Sequence, residues 1–135
     1  MKNILIKLLI NIILASVAFG LALFLFPIGL LFSIIHLIVN YSTKNTLSFG
    51  VKFFLAIAIS IDQLGNVVCQ HLFNYCLVKK ESRYKFGNVD ETISSVLGKN
   101  KLEKTLTILG IYLLSLLEFI DNNHGVKSIE EDEIF

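Results

Sequence analysis

Between Leu8 and Asn40 the chain has no Asp, Glu, Lys or Arg, over 33 of its 135 residues. His36, ordinarily neutral at pH 7, is the only ionisable side chain in that run. A charge-free stretch of this length has no solvated face to offer and reads as a membrane helix. The whole composition agrees, with 54% hydrophobic residues and a mean hydropathy of +0.70, above an ordinary soluble domain.

Other absences narrow the function. A net charge of +1 gives no basic field for nucleic acid. There is no phosphate-binding G-x-x-x-x-G-K-[ST] loop, nucleotide fingerprint, H-E-x-x-H or C-x-x-C, so no cofactor is expected. The two cysteines, Cys69 and Cys76, are seven residues apart, which on one helix is roughly 10 Å of rise and too far for a disulfide. They read as small apolar residues of a helix face. His36, His71 and His124 are scattered, and Asp90, Glu91 and His124 make a poor metal set from sequence alone. Ser94 and Ser95 have no neighbouring histidine to activate them. The chain therefore reads as a non-enzyme. It contains no internal repeats and no low-complexity tracts.

The first apolar segment would be about 50 Å long as a helix, against a hydrocarbon core of about 30 Å. Pro27, the only proline, predicts a kink, with Leu8 to Phe26 spanning and Ile28 to Asn40 as a bent continuation. A hairpin turning at Pro27-Ile28-Gly29 is the weaker choice, since neither half has a polar turn. Lys2, Lys7 and the small residues Ser16-Val17-Ala18 resemble a signal peptide, but cleavage there would leave a further apolar run from Phe19 to Val39. An uncleaved anchor is the expectation.

A polar loop, Tyr41 to Ser48, places Tyr41 at the water boundary. A second helix is predicted from about Phe49 to Val78. Its first part is apolar, and then Asp62, Asn66, Gln70 and Asn74 recur every four residues on one narrow face, with Gln63 and His71 close by. Ten strongly apolar residues between Phe53 and Leu72 favour insertion by roughly 5 kcal/mol, but Asp62 alone costs about 3 and the amides add to it. The polar face must therefore be hidden. It can pack against the chain's own helices, meet another subunit or line a wet path, or touch water at the interface.

The basic run Lys79, Lys80, Arg83 and Lys85 marks a boundary, giving a membrane hairpin over 1–78 and a cytoplasmic or interfacial helical segment over 79–135. In that segment Asn88 to Gly98 reads as a short helix capped by Asn88 or Asp90, with Ile93, Val96 and Leu97 as its apolar stripe and Gly98 as its stop. Leu102 to Ile120 is predicted as the last long helix. Its charge-free core, Thr105 to Leu117, is short for a span. Ser128 to Glu131 has capping-box spacing at the start of an acidic tail that ends in Ile134-Phe135. Lys2, Lys7 and the cations from Lys79 to Lys104 outweigh Lys44 and Lys52 in the connecting loop, which predicts two spans with both termini in the cytoplasm.

Three stretches, SIDQLGNVVCQ (Ser60 to Gln70), FGNVDETISSVLGKN (Phe86 to Asn100) and IDNNHGVKSIEE (Ile120 to Glu131), resemble a group of small uncharacterised membrane proteins of tailed bacteriophages and prophages. The likeness covers roughly the C-terminal two thirds, and D-E-T-I-S-S is its most specific part. Asp62, Asn66, Asp90, Glu91, Thr92, Ser94, Ser95 and His124 stand at its motif positions. The resemblance implies a phage-encoded protein of the bacterial inner membrane. Where those relatives often carry Cys after the last His, this chain has Gly125, so that pair implies no metal or redox role.

The expectation is an all-α integral membrane protein with two membrane helices and a small C-terminal helical cap. It would self-associate or bind a membrane or phage partner through the polar face of the second helix, with holin-like permeabilisation as one outcome. An anchor that docks a phage or host protein through DETISS and the acidic tail is the alternative.

Overall fold

A computed structural model describes residues 2–40 and 44–132, with side chains described in 2–40 and 46–129. The described residues form six α-helices and no strand, only an isolated antiparallel bridge between Val78 and Leu106. Tyr41 and the Ile134-Phe135 terminus lie outside the described residues, as do the side chains of the acidic tail from Glu130. The chain divides into two compact units, residues 1–52 and 53–135, and the basic run at Lys79 falls inside the second.

In the first unit, α1 (Lys2–Val39) is one helix through Pro27, about 57 Å long at 1.5 Å per residue. The hairpin at Pro27-Ile28-Gly29 does not form, because one missing N–H cannot outweigh the intact ladder on either side and no polar turn is present. None of its residues is buried. At its end the Asn40 amide and side chain both donate to the His36 carbonyl, at 3.1 and 2.9 Å. Helix α2 (Lys44–Val68) begins earlier than Phe49. Near that start a Cβ on Gly50 would stand 3.2 Å from the Leu37 side chain, so the glycine admits α1 closely. Lys2–Val39 and Thr46–Val68 are both long and apolar enough to cross a membrane.

The second unit corrects several boundaries. The second helix does not run unbroken to Val78: it stops at Val68, Cys69 turns with φ −94° and ψ 7°, and α3 (Gln70–Cys76) resumes. The Gln70 side chain donates to the Val67 carbonyl at 3.0 Å, offering local satisfaction at the break. Both cysteines are free, as their spacing requires.

Helix α4 (Ile93–Leu102) starts later and ends later than expected. Thr92 is its N-cap, not Asn88 or Asp90, because Asn88 turns its side chain back to the Asp90 amide at 3.3 Å. Gly98 is not a stop. It lies buried in mid-helix, where a Cβ would come within 2.1 Å of the Gly125 carbonyl oxygen. The glycine is there because another backbone crosses it.

Helix α5 (Ile108–Ile120) follows its N-cap Thr107 and does not start at Leu102, since the intervening residues leave α4 in a left-handed turn at Lys104 (φ 58°) and bridge to Val78. Helix α6 (His124–Asp132) follows, with Ser128 in its second turn bonded back to the His124 carbonyl at 2.9 Å. Ser128 therefore caps nothing. The core of the unit comprises Leu77, Val78, Phe86, Val96, Leu97, Leu106 and Leu114, with Phe73 and Phe86 packed edge to face at 5.3 Å.

Candidate functional site

The polar residues at four-residue spacing keep one face across the break at Cys69, and the face receives the backbone of residues 86–94. Asp62 accepts from the Ile93 amide at 3.2 Å, the Ser94 amide at 3.3 Å and the Ser94 hydroxyl at 2.7 Å. Thr92 accepts from the Ser95 amide at 3.1 Å, and the Thr92 carbonyl from the Val96 amide at 3.2 Å. The first four N–H groups of α4 thus all have acceptors, two of them supplied by a carboxylate from α2.

Asn66 is fully buried and uses both ends of its amide. Its Nδ2 donates to the Asn88 and Glu91 carbonyls at 2.9 and 2.6 Å, and its Oδ1 accepts from the Gly87 amide at 2.9 Å. About two turns further on, Asn74 pairs with both backbone groups of Phe86, each at 2.9 Å. Gly87 has φ +120°, and a Cβ there would press on the Gln70 amide oxygen at 2.5 Å, so the segment passes the face only as glycine. Gln63 makes no hydrogen bond among the described residues, and His71 is exposed.

The D-E-T-I-S-S block is therefore mostly the buried start of a helix. Thr92, Ser94 and Ser95 are buried, Glu91 pairs with Lys99 at 2.9 Å, and Asp90 alone faces outward. The Ser95 hydroxyl is buried without a partner among the described residues, and the Glu91 carbonyl it would reach by back-bonding is taken by Asn66. His124 lies apart from this set. It sits 3.4 Å from Asp121 at the head of α6, while Lys127 reaches the same carboxylate at 2.5 Å. The Lys127 hydrogen bond, then that of His124, holds the Asp121 carboxyl below its ordinary value. No group of three metal-ligating residues occurs among the described residues.

A second polar knot lies outside both the four-residue pattern and D-E-T-I-S-S. Asn100 is fully buried and donates to the Tyr84 and Val96 carbonyls, both at 2.8 Å, while its Oδ1 accepts from Thr105 at 2.6 Å and from Ser82. It ties the basic loop to the end of α4. The sequence carries little signal for it, because reading Gly98 as a helix stop leaves Asn100 in a linker, where an asparagine is ordinary.

Around these knots the surface is apolar. Ile61, Leu64, Val68, Leu72 and Tyr75 are exposed along α2 and α3, and Ile108, Ile111, Tyr112, Leu116 and Phe119 along α5. Ser16, Ser60 and Ser115 each turn their hydroxyl to the carbonyl four residues back at 2.8 Å, which hides the donor on an apolar helix surface. The class that this defines is an all-α protein with polar groups turned inward, apolar helix faces turned outward and two helices able to cross a membrane. The chain matches no protein-family model, and no curated protein or solved structure matches it significantly.

Proposed function

We propose that this is a non-enzymatic protein of the bacterial inner membrane, of the phage-encoded kind its motifs resemble, that works by assembling in the bilayer. The observation that carries the proposal is the surface of α1, 38 residues long with none buried. Such a surface needs lipid or another helix against it. A bend at Pro27 would fit its length to the bilayer, and the lysine distribution favours two spans with both termini cytoplasmic.

Asp62, Asn66 and Asn74 already hold the chain's own backbone, which moves the association surface to α1, in a second copy or another membrane protein. Assembly through an apolar helix also suits a holin-like role. Docking through DETISS has less to support it, because its central residues are buried.

Inducible expression in a bacterial host, with membrane potential followed over time, tests the permeabilising role. Depolarisation and growth arrest are expected, and an unaltered potential at full expression would remove it. Cross-linking within the membrane should capture mainly the protein itself.

A further inference from the structure

In the second unit the backbones of residues 79, 80, 85 and 104 meet, and none of these four lysines forms an ion pair among the described residues. Lys85 Nζ donates to the Lys79 and Lys80 carbonyls at 3.0 and 3.2 Å, and Lys79 Nζ to the Lys104 carbonyl at 3.0 Å. Their tethers are neutral, so the charges of Lys79, Lys80, Lys85 and Lys104 outweigh the one carboxylate of the loop, that of Glu81, which forms no ion pair among the described residues. All four are exposed. The neighbouring cations are neutralised differently: Arg83 by Glu103 at 2.5 Å, Lys99 by Glu91 at 2.9 Å and Lys101 by Glu118 at 2.6 Å. Like charges held together raise the local potential and call for an anion.

What lies beside them says which anion. Lys79 is on the wall of an open cleft of about 590 Å³ between the end of α3 and the start of α5, otherwise lined by Cys76, Leu106, Ile108, Leu109 and Ile111 with Thr107. That volume is within the range of ligand clefts, but its lining offers an apolar ligand almost nothing polar beyond the lysine. The exposed apolar face of α5 continues from it through Tyr112, Leu116 and Phe119. A soluble phosphate would use the lysines and leave the cleft to water.

We infer that this end of the second unit is a seat for an anionic phospholipid, its phosphate at the lysine cluster and an acyl chain in the cleft beside Lys79. The inference rests on the membrane reading above. It adds a lipid class to it and gives the basic run a chemical task beyond setting orientation. A phosphatidylglycerol molecule carries the required pair of features, a single negative phosphate and acyl chains.

The test uses the full chain in non-ionic detergent, with retained lipid measured by native mass spectrometry against phosphatidylglycerol and phosphatidylcholine of identical acyl chains. Phosphatidylglycerol should be retained preferentially. Lys80→Gln with Lys104→Gln removes two ammonium groups that make no hydrogen bond among the described residues, and should reduce the preference by roughly fivefold per lysine, the fold-change of about 1 kcal/mol for a basic residue at an anionic surface. Lys2→Gln with Lys7→Gln, the same change in net charge, should leave it intact.

Equal retention of the two lipids overturns the inference, as does an equal loss in both double variants. Displacement by excess sn-glycerol 3-phosphate would also overturn it, since the acyl chain would then contribute nothing. A second readout needs no lysine variant: in Cys69→Ser protein, phosphatidylglycerol should slow maleimide modification of Cys76 severalfold more than phosphatidylcholine does, and equal rates would empty the cleft. Alkaline carbonate extraction of expressing membranes reads the membrane assignment separately. Protein released by carbonate fails that assignment, whereas protein that is retained but shows no lipid preference fails the inference alone.

Discussion

Asp62 and Ser94 are joined twice, the carboxylate accepting from the backbone amide at 3.3 Å and from the hydroxyl at 2.7 Å. The two residues are 32 positions apart, and the contact makes a side chain of α2 the cap of α4. Removing the acceptor leaves two helix-start amides and a buried hydroxyl without it. Asp62→Ala is expected to cost about 2–3 kcal/mol, and Asp62→Asn about half, since an amide oxygen can still accept from one N–H. Amide hydrogen exchange of Ile93 and Ser94 in detergent should rise in that order. Protection unchanged in the alanine variant would mean that the cap is made by Thr92 alone.

Asn66 gives a sharper test because its donors and acceptor cannot be exchanged. Its Nδ2 faces two carbonyls, so Asn66→Asp sets a carboxylate against the Asn88 and Glu91 oxygens at a fully buried site. Neither carbonyl then has its donor and the carboxylate is desolvated beside them, so Asn66→Asp should cost about 3 kcal/mol or more. Denaturation of Asn66→Asp beside the parent should show that loss, and unchanged stability would mean that the site admits water.

How far these contacts were legible in the sequence divides cleanly. The four-residue spacing of Asp62, Asn66, Gln70 and Asn74 announced a hidden polar face, and the charge-free run announced α1. The spacing does not say what the face meets, because its partners are mostly backbone groups of residues 86–94, and every residue carries those. Boundaries misled where tertiary contacts overrode local signals. Asn88 and Asp90 are good caps by type, yet the helix waits for Thr92, where Asp62 can serve it. Gly98 looks like a stop until Gly125 is seen crossing it.

That crossing predicts an asymmetry between two glycines. A Cβ at Gly98 would meet backbone, the Gly125 oxygen at 2.1 Å, whereas one at Gly125 would meet the flexible Leu114 methyl at 2.8 Å and the Gly98 backbone only at 3.2 Å. Gly98→Ala should cost about 3 kcal/mol by forcing α4 and α6 apart, and Gly125→Ala about 1. Gly20, with nothing within 4 Å, is the control, where alanine should be neutral or stabilising by up to about 1 kcal/mol. Thermal unfolding of the three variants in one detergent checks the order.

Asp121 ties the start of α6 by charge. Its carboxyl is held below the ordinary 3.8, first by Lys127 and then by His124, so the folded protein holds that proton less tightly than the unfolded chain does. The contribution is complete above the unfolded value and is lost as pH falls through the folded pKa. Carboxyl carbon NMR of Asp121 should titrate low in the parent and move upward in Lys127→Gln. An unmoved titration would leave the ion pair without weight in solution.

Lys104 separates backbone from charge. The Lys104 amide donates to the Lys101 carbonyl and the Thr105 amide to the Asn100 carbonyl, at 3.1 and 2.9 Å, closing α4 with Lys104 at the left-handed position (φ 58°) that glycine favours. Lys104→Gly should raise stability by about 0.5–1 kcal/mol, while Lys104→Ala, which keeps the strained Cβ, should not. The Lys79 ammonium bonds the backbone oxygen of residue 104, so both variants keep that tether. A glycine variant that gains stability yet loses preference for phosphatidylglycerol would show that the lysine occupies this position for its charge. Unfolding and lipid retention measured on the same preparation decide it, and equal stability of the glycine and alanine variants would refute the backbone argument.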